Sequence, residues 1–202
     1  MSPNSTLQTP NSILPTPNSI TRCSWCGTDP IYVKYHDEEW GKETHDDRVL
    51  FEFLILESAQ AGLSWITILK RRDGYRKAFA DFDPVKVSQF TEDDVERLMN
   101  DTGIIRNRLK ILAAINNAKL FLKVQEEFGS FDAYMYSFMP DGKPLNNEIP
   151  VQGAVPARTE ISDAIAKDMK KRGFKFFGTT ICYAHMQAVG MVNDHIDSCV
   201  FK

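Results

Sequence analysis

"GFKFFGTTICYAHMQAVGMVNDHIDSC", residues 173–199, is the stretch on which the fold of this 202-residue chain turns. Gly173 and Gly178 bracket a short apolar link, a helical stretch follows, and His195-x3-Cys199 closes the segment. Upstream, Thr159 to Arg172 reads as a helix that stops at Gly173. Helix, glycine turn, glycine, helix is the pattern of a helix-hairpin-helix. Its glycines let the backbone turn tightly, and the start of the next helix offers N–H groups and a dipole that favour an anion such as DNA phosphate. Two ordinary helices joined by a glycine turn share this spacing. The basic run Lys167, Lys170, Lys171, Arg172 and Lys175, with Asp168 the one acidic residue among them, would by itself be a solvated face; beside a hairpin it suits a phosphate backbone.

His195 and Cys199 gain meaning from the other end of the chain, where Cys23-x2-Cys26 supplies a second close pair. Zinc takes thiolates and imidazoles in a tetrahedron, and such pairs place two ligands on one side of the ion. Spacing alone makes Cys23, Cys26, His195 and Cys199 the four-ligand set, with His36 competing for the place of Cys26. Buried structural cysteines are the alternative. A zinc held by four side chains has no open position and no bound water for catalysis. It would staple the chain ends, and structural zinc contributes on the order of 10–16 kcal/mol in isolated peptides.

Length suits a single core. Residues 1–21 repeat Pro-Asn-Ser at positions 3, 10 and 17 and bury little, so a disordered tail is expected there, with one domain over 22–202. The tail lacks the basic and apolar regions of a signal peptide. The most apolar run, Val49 to Leu69, is interrupted by Glu52, Glu57, Gln60 and Ser64, which argues against a membrane span. A net charge of −3 argues against coating nucleic acid by bulk electrostatics. The cysteine usage suits an intracellular protein with a metal site better than a secreted disulfide framework.

The remaining pattern is helical. Thr44 with Asp47 resembles a cap and an acidic first turn, and the apolar pattern runs through Leu56 toward Gly62. A second helix starts near Ser64 and continues past Leu69. Thr91 to Asp94 opens another, which Asn100 to Gly103 closes. Apolar residues near a 3.6 period fill Arg106 to Phe128, with Gly129 placed for a C-terminal cap. A short helix is expected over Asp132 to Phe138, then a loop from Pro140 to Pro156. Strands find little support, so the expected fold is all-α, a compact bundle of eight or more helices.

Glu57 lies in "FLILESAQAGLSW", residues 53–65, where an unpaired ionised carboxylate would be costly. It either faces solvent, the commoner arrangement, or is held for a ligand. Trp65 lies eight residues on, and with Gly62 between them spacing cannot say whether the two meet. Trp25, Tyr35 and Trp40 cluster near the proposed ligands and read first as core, second as stacking surfaces. His45 and His185 read as surface or satisfied residues. Cys182 sits in an apolar helix without an obvious activator.

Four blocks, "RCSWCGTDPIYVKYHDEEWG", "LESAQAGLSWITILKRR", "DTGIIRNRLKI" and "KKRGFKFFGTTICYAHMQAVGMVNDHIDSC", resemble the 3-methyladenine DNA glycosylase I family, over about residues 22 to 200. The resemblance implies a helix-hairpin-helix DNA glycosylase with zinc joining its terminal segments. It replaces the spacing-based ligand set by Cys23, His36, His195 and Cys199, leaving Cys26 a bystander. It implies Glu57 as the catalytic carboxylate that reads the flipped base together with Tyr35, Trp65 as a stacking face, and Trp25 and Trp40 as secondary walls. Gly173, Lys175, Gly178, Thr179 and Thr180 would hold the DNA backbone. Expected partners are alkylated double-stranded DNA and the product, free 3-methyladenine, with no membrane. The chain would act as a monomer wherever the DNA is, in prokaryotic cytoplasm or a eukaryotic nucleus or organelle. Thr180 and Asn193 stand where relatives such as endonuclease III carry a lysine nucleophile and an essential aspartate, which implies a glycosylase without lyase activity. A non-catalytic zinc-stapled DNA-binding module and a zinc or thiol enzyme of small molecules remain the rival readings.

Overall fold

The computed structural model describes residues 20–202. The expected tail, residues 1–21, therefore falls almost wholly outside the described residues. Thr21, at its inner edge, already accepts a hydrogen bond from the amide of Val200 at 3.1 Å, so the two ends of the domain meet.

Ten α-helices are described, and local chemistry sets their limits. Helix α1 (Pro30–Glu38) starts with Asp29 capping the amide of Ile31 and proline in the first turn. Helix α2 (Asp47–Gln60) is capped by Asp46, which accepts from the amide of Arg48. The cap is thus not at Thr44, as the sequence pattern suggests; Asp46 wins because its carboxylate stands one residue before the first helical turn. Helices α3 (Trp65–Leu69), α4 (Arg72–Ala78) and α5 (Pro84–Ser88) follow as short pieces. Helix α6 (Glu92–Met99) opens on a reciprocal box between Thr91 and Asp94. Helices α7 (Arg108–Phe128) and α8 (Phe131–Tyr136) meet at Gly129, whose φ of +87° favours glycine. Helices α9 (Glu160–Arg172) and α10 (Thr179–Ala188) form the hairpin.

The bundle is built around α2. Every residue from Leu50 to Ala59 is buried, as befits a helix that is covered on all sides. It packs against α3, α7, α8 and α10. Glu57 therefore belongs to the core rather than to a solvated helix face. One departure from an all-helical reading is small: β1 (Leu145–Asn146) pairs in parallel with β2 (Val192–Asn193). Two-residue strands carry no readable alternation. The pair ties the segment after α8 to the one that delivers His195. Gly190, just before β2, has a φ of +73°, and a Cβ there would lie 2.1 Å from the carbonyl carbon of Lys42. Glycine is required at this crossing of the chain ends.

Candidate base pocket, metal cluster and hairpin

The structure gathers Glu57 and all four singled-out aromatics, Trp25, Tyr35, Trp40 and Trp65, around one cavity of ≈220 Å³. An apolar cavity of about 150 Å³ admits benzene, so this one has room for a larger planar ring. Helix α1 supplies Tyr35, α2 supplies Glu57, and the turn before α3 brings Trp65, the first residue of that helix, back to the cavity. That turn exists because Gly62 adopts a φ of +81°. Lys110 of α7 fixes it, donating to the carbonyls of Ala59 at 2.8 Å and Ala61 at 2.7 Å, where the end of α2 carries a partial negative charge.

The walls are rings in contact. Tyr35 and Trp65 have centroids 5.5 Å apart, and Trp25 and Trp40 meet edge-on at 4.9 Å. Phe53 stacks behind Trp65 at 6.3 Å. Between these rings Glu57 is 3% exposed, and its Oε2 has no hydrogen-bond partner among the described residues. Trp65 Nε1 is likewise buried and unpartnered. Burial pushes the Glu57 carboxyl up to about 8 and the Tyr35 hydroxyl well above its ordinary value. A buried carboxyl with an unpartnered oxygen in a ring-lined cavity is costly to the fold, and it is suited to a ligand that brings donors or positive charge.

Sequence reasoning missed Tyr32, Gln60, Val155, Ala184 and Gln187, which also line the cavity. Two were within reach: Tyr32 lies three residues before Tyr35 and Gln60 three after Glu57, the spacing that shares a helix face. Nothing local marked the other three, which arrive from the loop after α8 and from α10.

Cys23, His36, His195 and Cys199 are buried, and their donor atoms all lie within 4.8 Å of one another. Cys23 Sγ and Cys199 Sγ approach His195 Nδ1 at 3.5 and 3.4 Å, and Cys199 Sγ approaches His36 Nε2 at 3.7 Å. The opposite nitrogens are held from behind. His36 Nδ1 meets Asp37 at 2.7 Å, itself gripped by Arg22, and His195 Nε2 donates to the carbonyl of Trp40 at 3.0 Å. Fixing the tautomers in this way turns one lone pair of each imidazole into the cluster, and the donor set of two sulfurs and two nitrogens fits a tetrahedral metal ion. Burial pushes the Cys23 thiol up and the His195 imidazole down to about 4, so both histidines are neutral donors. Cys26 Sγ points away, donating to the carbonyl of Cys23 at 3.1 Å. That corrects the set drawn from spacing alone, because the tight turn directs the second thiol, itself buried, back onto the backbone and away from the other three donors.

In the hairpin, Gly173 adopts a left-handed φ of +104° and ends α9. Asn117 of α7 clamps the link from both sides: its Oδ1 accepts from the Lys175 amide and its Nδ2 donates to the Lys175 carbonyl, each at 2.9 Å. Gly178 differs from Gly173. Its φ is −79°, and a Cβ there would meet nothing within 4 Å, so the folded chain does not itself require glycine. Lys175 and Thr180 are exposed, whereas the Thr179 hydroxyl is used internally on Asp163 and Ser162. Arg172 is not a free cation of the basic run; Asp168 and Glu127 both pair with it at 2.6 Å. His45 pairs with Asp132 at 2.9 Å, and buried His185 reaches the carbonyl of Leu50 through Nε2 at 3.0 Å while its Nδ1 has no partner among the described residues.

A family model described as Methyladenine glycosylase matches residues 25–202. The chain belongs to the methyladenine glycosylase family. Curated members of it are similar over nearly their whole length: DNA-3-methyladenine glycosylase 1 of Escherichia coli (strain K12) is 50% identical over 178 residues, spanning 88% of this chain and 95% of that one. The DNA-3-methyladenine glycosylase of Haemophilus influenzae is 47% identical over 182 residues, spanning 90% and 98%. Among solved structures, a crystal structure of 3-methyladenine DNA glycosylase I superposes with a TM-score of 0.84 at 51% identity, covering 89% of this chain and 98% of that one. The Staphylococcus aureus glycosylase, solved for its recognition of 3-methyladenine, superposes with a TM-score of 0.87 at 36% identity, covering 92% and 98%. These family members share the helical architecture described above, and no helix among the described residues is long and apolar enough to cross a membrane.

Proposed function

We propose that this methyladenine glycosylase hydrolyses the N-glycosidic bond of 3-methyladenine in alkylated duplex DNA, and that it leaves the abasic strand intact. The observation that carries the reading is Glu57: a buried carboxyl with an unpartnered oxygen, facing a cavity walled by Tyr35, Trp65, Trp25 and Trp40. Methylation at N3 makes the nucleotide's purine cationic, so cleavage releases a neutral base from a bond already weakened. Little acid catalysis is needed. The work is to draw the base out of the stack, at a cost of a few kcal/mol, and to favour the charge distribution of cleavage over that of the bound nucleotide. A cationic ring beside Glu57 draws that carboxyl toward its ionised form, and tryptophan faces attract the cation by roughly 0.5–2 kcal/mol. Neutral adenine gains neither.

The amides at the start of α10, opened by Gly178, together with Lys175 and the Thr180 hydroxyl, suit the phosphate backbone beside the extruded nucleotide. Thr179 contributes its amide, its hydroxyl being committed to α9. The four-residue cluster suits one zinc ion, which supplies structure only: Cys23 and His36 from one end of the domain and His195 and Cys199 from the other are its holders. Thr180 offers no amine for a Schiff base, which supports a glycosylase without strand cleavage.

Incubating the protein with methylated duplex and chromatographing the released bases tests the activity. Free 3-methyladenine is expected, and its loss is expected in Glu57→Gln; a non-catalytic DNA-binding module would bind duplex and release nothing. Borohydride should trap no protein–DNA adduct, and a trapped adduct would overturn the assignment of simple hydrolysis.

A further inference from the structure

Gln187 lines the cavity from α10, and no pattern in the sequence gives it a role. Its Nε2 donates to Asp194 Oδ2 at 2.8 Å. Asp194 is fully buried and takes two more donors, the Tyr183 hydroxyl on Oδ2 at 2.7 Å and Asn147 Nδ2 on Oδ1 at 2.7 Å. A carboxylate accepts hydrogen bonds and does not give them, so the Gln187 amide has to turn its NH2 toward Asp194. Its carbonyl oxygen Oε1 accepts no hydrogen bond from a described residue. That oxygen is the acceptor left for whatever occupies the cavity.

Glu57 does not settle which polar edge of a purine is welcome, because a carboxyl gives a hydrogen bond when protonated and takes one when ionised. The Gln187 oxygen has no such freedom while Asp194 holds the amide. An acceptor satisfies the amino group of a 6-aminopurine and repels the oxygen of a 6-ketopurine. Sites built to bond one polar group discriminate strongly against a ligand that leaves the group unpaired.

We infer that Gln187 is a specificity-determining residue of the cavity, its Oε1 accepting from the amino group of a 6-aminopurine, and that Asp194 is the positioning residue that sets the amide's orientation. The inference rests on the base-excision reading above. Asn147, which follows β1, and Tyr183 on α10 hold Asp194 from two sides, so its carboxylate is fixed independently of the ligand.

The test uses one duplex substrate carrying both 3-methyladenine and 3-methylguanine, with release of each followed by chromatography for wild type, Asp194→Asn and Gln187→Leu. Asparagine keeps the shape of Asp194 and one acceptor but adds an NH2, so the Gln187 amide is free to reverse. The ratio of 3-methyladenine to 3-methylguanine release should fall roughly tenfold in Asp194→Asn, as one buried hydrogen bond is exchanged for a mismatch. Gln187→Leu should lower it by slowing 3-methyladenine release alone. Circular dichroism checks folding, and if Asp194→Asn does not fold, Gln187→Leu alone decides. An unchanged ratio in the folded variants overturns the inference, because a purely structural role would slow both bases equally. Release of neither base by wild type is a different outcome, and it removes the base-excision reading itself.

Discussion

Replacing Glu57 by glutamine separates what the carboxyl costs the fold from what it does for a ligand. In the folded chain burial moves its ionisation from 4.5 to about 8. A carboxyl whose folded value is raised binds its proton more tightly in the native state, so stability falls as pH climbs through 4.5 and the loss is complete above about 8. At 1.36 kcal/mol per unit the full penalty is about 5 kcal/mol, and about 3 kcal/mol is already present at pH 7. Glutamine is neutral throughout. The stability of Glu57→Gln minus that of wild type should therefore be near zero at about pH 4.5, grow to about 3 kcal/mol in favour of the variant at pH 7, and level off above 8. Urea unfolding of both proteins across this range measures the difference, in which every other titrating group cancels. A difference that does not change with pH would falsify the picture of a buried, unpaired carboxyl. The same variant should release no base, giving a protein that is more stable and inactive.

Other consequences follow from the same geometry. Native protein should hold about one zinc per chain by elemental analysis, and Cys23→Ser should lose it together with several kcal/mol of stability; less than half an equivalent in unchelated protein would remove the metal assignment. The two glycines give opposite results when changed to alanine: Gly190→Ala should destabilise by more than about 3 kcal/mol in denaturant melts, since φ is +73° and backbone lies 2.1 Å from the new Cβ. Gly178→Ala should leave the melt unchanged and weaken duplex binding in a gel-shift titration. Lys110→Met should lower base release and cost about 1–2 kcal/mol, because two carbonyls ending α2 lose a charged donor; Lys110→Arg should restore part of both.

The hairpin is legible in the sequence because it is local: Gly173, the basic run and the start of α10 are neighbours, and each helix limit there follows from a cap or a left-handed glycine. Helix α7 is legible for the same reason, its period and Gly129 agreeing. Helices α1, α4 and α5 are not readable individually, since pieces of five to nine residues hold too few turns for a period to show. The burial of Glu57 is not legible either. Its neighbours on α2 are mostly apolar, which marks a core helix, but a carboxylate in such a run, like Glu52 five residues before it, reads more readily as a solvated position. Only the packing of α3, α7, α8 and α10 around α2 removes the second reading. The reversal of Arg172 has the same origin, because Glu127, which neutralises it, lies 45 residues away.

The cysteine-histidine cluster and the cavity share walls, which places the candidate staple beside the candidate chemistry. The Trp25 ring lies 5.2 Å from that of His36, and the Trp40 ring 4.7 Å from that of His195. The Trp40 carbonyl also holds the back of His195. Trp25, Tyr35 and Trp40 all come from the first turns of the domain, a segment that meets the rest of the bundle through α3, through the Arg72–Glu39 ion pair, through the amides of Gly41 and Thr44 on the carbonyls of Gln187 and Val189, and through the cluster. Cys23 and His195 are 172 residues apart, so the cluster is a long-range tie that adds to these contacts in holding the wall. A wall that opened would admit water to Glu57, return its ionisation toward that of a solvated carboxyl and screen the attraction between the rings and a cation. On the proposed reading the cluster would act on the base at one remove: by closing the domain ends it would help keep water from the cavity, and exclusion of water is what would give an unpaired glutamate and four aromatic faces a preference for a charged purine.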